Sequence, residues 1–380
     1  GLHQTQGRPM NITDLDTPAV LIDLDKLEQN IQRMAAFAKA QRISLRPHIK
    51  THKIPQIAFM QLRAGAAGIT CQKLGEAEVM AAAGIDDILI TYNIVGEHKL
   101  SRLAQLKRLA NVCTVVDSEE VMAPLAACMQ QEGFQHEVMI EVNTGLNRCG
   151  VLPGEPVLAL VQRLRQYPSL KLRGIFTHEG HAYNFPNLEE RERAVMKAAD
   201  DMKRTAQLLR EHGFACEVIS VGSTPSAMII GKADGVTELR PGNYVFYDRV
   251  QLKLGSCTEE QIAASVLATV ISRPAPARAF EPDRAIIDAG NKTMCTDNAA
   301  DFDKTIGMVV GHPELTFHYS SEEHGRLTSK IGSMKLNIGD RVRLIPNHAC
   351  GMMNMHDEVY GIRGDTVEAV WKVAARGRVR

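Results

Sequence analysis

Ile43-Ser44-Leu45-Arg46-Pro47-His48-Ile49-Lys50-Thr51-His52-Lys53 runs from a short β-prone segment straight into a basic, imidazole-rich octapeptide. A lysine just past a strand end and crowded by other cations has a lowered pKa, because each neighbouring positive charge disfavours its protonated form. That is the state in which a Schiff-base lysine is a nucleophilic amine near neutral pH. Alone, such an octapeptide is more often a solvated cationic loop. The rest of the chain decides between the two.

Working outward, short apolar runs alternate with amphipathic stretches through the first two thirds of the sequence. Strands are predicted at Ile43 to Arg46, Ala67 to Thr70, Asp87 to Thr91, Val112 to Val116, Glu137 to Val142, Leu172 to Thr177, Cys216 to Val221 and Val236 to Leu239. Helices are predicted at Lys26 to Ala40, Gly75 to Ala83, Ser118 to Glu132, Glu155 to Tyr167 and Leu188 to His212. Eight strands separated by helices place the chain in the α/β class, as a (β/α)8 TIM-type barrel over residues 25–250. Its chemistry belongs at the C-terminal strand ends, where Lys50 stands.

After about Gln251 the rhythm becomes β-rich without long helices: Ala264 to Ser272, Arg284 to Asp288, Gly307 to Val310, Asp340 to Ile345, Val359 to Ile362 and Val367 to Val373. These predict a second, antiparallel domain of residues 1–24 and 251–380, with Thr17 to Leu24 adding a strand and Arg273 to Pro282 forming a loop.

A chain of 380 residues exceeds what one hydrophobic core usually serves, which agrees with two domains. Lysine plus arginine equals aspartate plus glutamate at 44 each, so there is no electrostatic case for nucleic acid or a membrane surface, and a small molecule is the expected partner. No apolar run approaches the roughly 20 residues of a membrane span, and Gly1-Leu2-His3-Gln4-Thr5-Gln6-Gly7 has no hydrophobic signal core. The eight cysteines are scattered without CxxC pairs, as expected of reduced thiols in a cytoplasmic enzyme.

Barrels of this kind hold phosphate in the loops after strands seven and eight, through backbone N–H groups that small residues leave exposed. Gly222-Ser223-Thr224 follows the seventh predicted strand and Gly242-Asn243-Tyr244 the eighth. Either triplet alone is an ordinary turn; both together with Lys50 point to a phosphate-bearing cofactor. In the β-rich region, His348 and Cys350 are two donors spaced i, i+2 at a strand end, able to project to one side. A His/Cys pair favours Zn2+, whereas a carboxylate in the second place suits Mg2+ or Mn2+.

The octapeptide resembles the lysine motif of the fold-type III, alanine racemase-like pyridoxal phosphate enzymes, in the branch that holds D-serine dehydratase and D-threonine aldolase. Further matching segments are Thr17-Pro18-Ala19-Val20-Leu21-Ile22-Asp23-Leu24-Asp25, Asn147-Arg148-Cys149-Gly150, Gly222-Ser223-Thr224-Pro225-Ser226, Pro241-Gly242-Asn243-Tyr244 and Asn347-His348-Ala349-Cys350. By this resemblance Lys50 carries pyridoxal 5'-phosphate, Arg148 lies beside its phenolic oxygen, Tyr183 contacts its pyridine ring, and the protein is a homodimer. The resemblance also makes His348 and Cys350 ligands of a divalent metal, Zn2+ ahead of Mn2+ or Mg2+. Racemisation fits less well, because alanine racemase uses a second acid/base tyrosine where this chain has Asn347 to His356.

The expected activity is that of a lyase on D-3-hydroxy amino acids. Lys50 would remove the Cα proton and the metal would make the β-hydroxyl a leaving group, giving a keto acid and ammonia. In the aldolase alternative His178 takes the β-hydroxyl proton, and glycine plus an aldehyde result. Gly222 to Ser226, Glu238 to Asp248 and His348-Ala349-Cys350 look like D-serine dehydratase. Cys71 to Ala77 and the tail from Met355-His356-Asp357 through Trp371 to Gly377 look like the aldolases, which have aspartate where Cys350 stands. Because the ligand touches the reacting group, dehydration is placed first. A non-catalytic pyridoxal phosphate carrier would have no reason to keep His348 with Cys350. The substrate stays open among D-serine, D-threonine and D-3-hydroxyaspartate; Arg46, His52 and Lys53 are cations that could admit an acidic one.

Overall fold

The structure, a computed structural model, describes residues 7–299 and 304–380. Strand β1 (Ala19–Asp23) and helix α1 (Leu24–Ala40) are followed by β2 (Ser44–Leu45), α2 (Pro55–Arg63), β3 (Ile69–Cys71), α3 (Leu74–Ala82), β4 (Asp87–Ile90), α4 (Glu97–Leu106), β5 (Asn111–Val116) and α5 (Glu119–Gln131). Next come β6 (His136–Glu141), α6 (Glu155–Arg163), β7 (Leu170–Phe176), α7 (Leu188–Glu211), β8 (Val218–Val221), α8 (Ala227–Ile230) and β9 (Glu238–Leu239). The rest comprises α9 (Arg249–Lys253), β10 (Ala264–Ser272), β11 (Arg284–Ile287), α10 (Asn291–Met294), β12 (Gly307–Val309), β13 (Leu315–Ser320), β14 (Gly325–Ser329), β15 (Arg341–Pro346), α11 (Ala349–Met353), β16 (Glu358–Arg363) and β17 (Thr366–Lys372).

Two compact units divide the chain: Ile31–Gly242 with Gly377–Arg380, and the residues up to Asn30 with Asn243–Arg376. In the first, strands β2 to β9 form one parallel sheet in the order β2-β9-β8-β7-β6-β5-β4-β3. Ala67 N–H donates to Leu45 O and Thr70 N–H to Pro47 O, both at 2.8 Å, which closes β3 onto the β2 segment and completes the expected barrel. Leu89, Cys113, Val115, Met139 and Phe176 pack as one buried cluster inside this unit, the layered filling that parallel barrels require.

All eight predicted barrel strands are present. Helices α2 and α4 lack a counterpart in the prediction, as do the short helices α8 to α11. In α2, Pro55 sits at the first turn, where its missing N–H does no harm. In α4, Leu100, Leu103 and Ala104 recur at helical spacing on the buried face.

Three basic residues of the octapeptide, Arg46, His52 and Lys53, are turned into this unit, contrary to the expectation that they could admit an acidic substrate. Arg46 is 2% exposed; its Nε donates to Glu238 Oε2 at 3.0 Å and a terminal nitrogen to Asp87 Oδ1 at 2.7 Å. Burial opposes its charge, but the two carboxylates outweigh burial and hold Arg46 protonated. His52 is fully buried, with Nε2 3.1 Å from Gln61 Oε1 and Nδ1 accepting from Ile54 N–H. Lys53 lies 3.8 Å from the buried Glu76 carboxylate.

In the second unit β10 pairs with β15 and back to β11, so β11-β14-β13-β12-β15-β10 closes on itself, and β1, β16 and β17 continue the sheet from β10. Every pairing is antiparallel except β1 with β16, which is parallel. The domain is therefore β-rich as expected but not wholly antiparallel. Strands β13 and β14 lie in the gap that the sequence reading left between Val310 and Asp340. No helix among the described residues is long and apolar enough to cross a membrane.

Candidate active site

Strand β2 ends at Leu45, and the chain turns through a single 3-10 turn, Ile49–Thr51, that carries Lys50. His48 caps this turn, its Nδ1 3.4 Å from Lys50 N. Lys50 is half-buried and opens into a cavity lined also by His48, Gln72, Thr91, Arg148, Phe176, His178, Gly222 and Arg240. The sequence reading placed Lys50, Arg148, His178 and Gly222 in one site, and the fold brings these four together. It did not single out His48, Gln72, Thr91, Phe176 or Arg240 as site residues.

The lining is cationic and contains no carboxylate. Arg240 is buried, with its guanidinium 4.2 Å above the Phe176 ring. It donates to Ser220 Oγ and Thr177 O, both at 2.6 Å. Burial lowers its pKa to about 10 against the pull of Glu179 and Glu238. Burial first, and then the charge of Lys50, hold His48 and His178 well below the ordinary histidine pKa, so both imidazoles are neutral at neutral pH. Gln72 links two walls, with Oε1 3.2 Å from His48 Nε2 and Nε2 donating to Thr91 O at 2.8 Å.

The strand-end glycines are there for close approach. Gly222 has φ +119°, and a Cβ on it would meet Arg240 N at 2.9 Å. A Cβ on Gly242 would meet Thr51 Oγ1 at 2.9 Å and His48 O at 3.0 Å, so this glycine lets the eighth strand end lie against the Lys50 turn. Glu179, fully buried, accepts from Gly222 N–H at 3.0 Å and from Ser226 Oγ at 2.5 Å. Ser223 N–H donates to Ser226 Oγ at 3.1 Å. Two of the backbone donors expected to face a phosphate are thus already engaged, one by Glu179 and one within the loop, and Thr224 is buried beside them. Tyr183 is 38% exposed, on the 3-10 turn Gly180–Asn184, and stands outside the cavity lining.

In the second unit His348 and Cys350 do not continue a strand. Strand β15 stops at Pro346, His348 is the extended N-cap of α11, and Cys350 lies in its first turn. This strand-to-helix turn leaves the imidazole and thiol within hydrogen-bonding reach of each other. Asn243 Nδ2 donates to Asp248 Oδ2 at 2.8 Å and approaches Cys350 Sγ at 3.7 Å. Ala349 N–H donates to the same Asp248 oxygen at 2.9 Å. Tyr244 is fully buried in the turn Asn243–Val245. Burial works against a charge on His348, but Cys350, Asp248 and Asp297 outweigh it and raise its pKa to about 10. A histidine that binds a proton this firmly among a thiol and two carboxylates sits in a field suited to a cation, and the imidazole and thiol are donors a divalent metal takes.

The barrel segment matches the family described as alanine racemase, N-terminal domain, over residues 22–250, and the β-rich segment matches the putative serine dehydratase domain over residues 263–362. A D-threonine aldolase of Arthrobacter sp. is 37% identical, the match covering 96% of this chain and 93% of that protein. A D-threo-3-hydroxyaspartate dehydratase of Delftia sp. is 36% identical over 94% of this chain and 97% of its own length. The solved D-threonine aldolase of Filomicrobium marinum superposes with a TM-score of 0.89 at 34% identity, covering 98% of this chain and 99% of that one. Solved variants of the D-threo-3-hydroxyaspartate dehydratase carry a histidine-to-alanine or a cysteine-to-alanine exchange, two positions apart, the latter in a metal-free form. Both superpose with a TM-score of 0.88 at 34% identity, covering 96% of this chain and 96% and 98% of theirs.

Proposed function

The chain belongs to the family that joins an alanine racemase N-terminal domain to a serine dehydratase domain, and from that premise we propose that it is a pyridoxal 5'-phosphate- and divalent-metal-dependent lyase that dehydrates D-3-hydroxy amino acids to keto acid and ammonia. The observation that carries dehydration is the pair His348 and Cys350, which has the spacing of the exchanged histidine and cysteine in the dehydratase variants. The cationic, carboxylate-free lining around Lys50 suits an anionic, phosphate-bearing cofactor.

When bound, pyridoxal phosphate supplies an electron sink for charge left at Cα. Lys50 would hold the cofactor and would take the Cα proton. Arg148 would supply a cation for the phenolic oxygen, the loops at Gly222, Ser223, Thr224 and at Gly242, Asn243, Tyr244 would hold the phosphate end, and Tyr183, although outside the cavity lining, would be the residue to contact the pyridine ring. A divalent cation, when bound, supplies Lewis acidity at the β-hydroxyl. His348 and Cys350 would hold it, and an imidazole with a thiolate favours Zn2+ over Mn2+ or Mg2+. We include in this proposal a homodimer, checked by light scattering against twice the 41.8 kDa of the chain, and a cytoplasmic location.

A second reading is retro-aldol cleavage. It is favoured by His178, a neutral imidazole in the Lys50 cavity able to accept a proton from the β-hydroxyl. Product analysis with D-threonine separates the two: 2-oxobutanoate and ammonia mean dehydration, whereas glycine and acetaldehyde mean aldol cleavage. Turnover that survives complete chelation would overturn the metal-dependent reading of either reaction.

A further inference from the structure

Every residue of Asn347-His348-Ala349-Cys350-Gly351 is tied to one constellation in the β-rich unit, and the group at its edge that the sequence does not announce is Asp297. Its Oδ2 lies 2.7 Å from His348 Nδ1. The loop that carries it, just past α10, is fixed by the residue before the histidine: Asn347, 1% exposed, donates from Nδ2 to Asp297 O at 2.9 Å and to Thr305 O at 2.6 Å. Arg249 in turn donates to Asn347 Oδ1 at 2.7 Å. The residue after the cysteine makes the approach possible. A Cβ on Gly351 would stand 3.1 Å from Cys295 Sγ, 3.2 Å from Asp297 Oδ2 and 3.5 Å from His348 Nδ1, in the space where carboxylate and imidazole meet.

An imidazole whose Nδ1 proton is held by a carboxylate has one ring nitrogen left to give, and its plane is fixed by that hydrogen bond. Partners of this kind orient metal-bound histidines and raise their basicity, and losing one weakens metal binding about 10–100-fold. We propose that Asp297 is a positioning residue of the cation site: it takes the Nδ1 proton of His348 and presents Nε2 to a divalent cation, while Asn243 and Asp248 hold the Cys350 side of the same turn. This rests on the reading of His348 as a metal ligand. Asp297 itself touches neither cation nor substrate.

The test uses the full chain with its cofactor bound and measures affinity for Zn2+ and Mn2+ by competition with a chelator of known strength. Asp297→Asn is expected to loosen both metals about 10–100-fold, and Asp297→Glu, which keeps a carboxylate within reach, to recover most of that loss. The visible absorption of the bound cofactor and the far-UV circular dichroism should match wild type in both, which separates positioning from misfolding. Wild-type affinity in Asp297→Asn, alongside lost affinity in His348→Ala, overturns the proposal and leaves the metal site standing. Equal loosening in Asp297→Asn and Asp297→Glu also overturns it, since a carboxylate at Nδ1 would then not be what matters. Wild-type affinity in His348→Ala removes the ligand reading itself, and this proposal with it.

Discussion

At the scale of single residues, the chemistry turns on which amine and which cation the barrel cavity offers. Lys50 is the lysine that lines it, whereas Lys53 is drawn to Glu76. Lys50→Ala should abolish both the visible absorption of the lysine-bound cofactor and turnover. Lys50→Arg should fail equally, because a guanidinium stays protonated at any accessible pH. A borohydride-reducible adduct at Lys53 in either variant would refute the assignment. Arg148 is exposed and faces the same cavity, so Arg148→Gln should leave the cofactor bound but shift its absorption and slow Cα deprotonation. Hydrogen exchange at Cα, followed by NMR, reads that step directly; an unchanged rate and spectrum would make Arg148 a surface ion-pair residue.

At the scale of elements, the strand ends do the positioning. Gly222 closes β8 with a backbone that L side chains rarely adopt, and a Cβ there would press on Arg240 N. Gly222→Ala should therefore cost about 1–3 kcal/mol of strain and displace Arg240 from the cavity wall. A lower thermal midpoint together with weaker cofactor binding by equilibrium dialysis is the expected result, and a variant matching wild type in both would show that the loop yields freely. The barrel was legible because its strands are buried, β-branched runs cut by glycine, proline and charged turns, which sequence periodicity reports directly. Helix α2 was hidden by its opening proline. Strands β13 and β14 were hidden because His318, Ser320, Arg326 and Thr328 break up their apolar residues and the acidic Glu322 and Glu323 lie between them. Lys50 and His348 were legible from motif; Arg240, Glu179 and Asp297 were not. Their roles come from contacts such as Glu179 with Gly222 and Asp297 with His348, across 43 and 51 residues of sequence, that no local pattern encodes.

At the scale of the whole molecule, the barrel unit contains five imidazoles, His48, His52, His136, His178 and His181, whose pKa values are depressed, burial being the largest cause in each. His136 is fully buried with Nε2 2.8 Å from Thr114 Oγ1 and is lowered to about 3; His52 is lowered to about 4. In the unfolded chain each would titrate near 6.5. Above that value both states are neutral and these groups leave stability untouched. As pH falls below about 6.5 the unfolded chain takes up protons that the fold refuses, so stability declines by about 1.4 kcal/mol per pH unit for each such histidine. For His136 the decline continues until the folded pKa of about 3 is reached. Urea unfolding of the cofactor-free protein, followed by circular dichroism at pH 7, 6 and 5, should show the loss steepening below pH 6. His136→Asn lowers stability at pH 7 by the strength of one buried hydrogen bond, about 1 kcal/mol, yet should flatten the slope between pH 6 and 5 by close to one proton. An identical slope in wild type and variant would mean that His136 already binds its proton in the folded state, and that the barrel opens to water at that site.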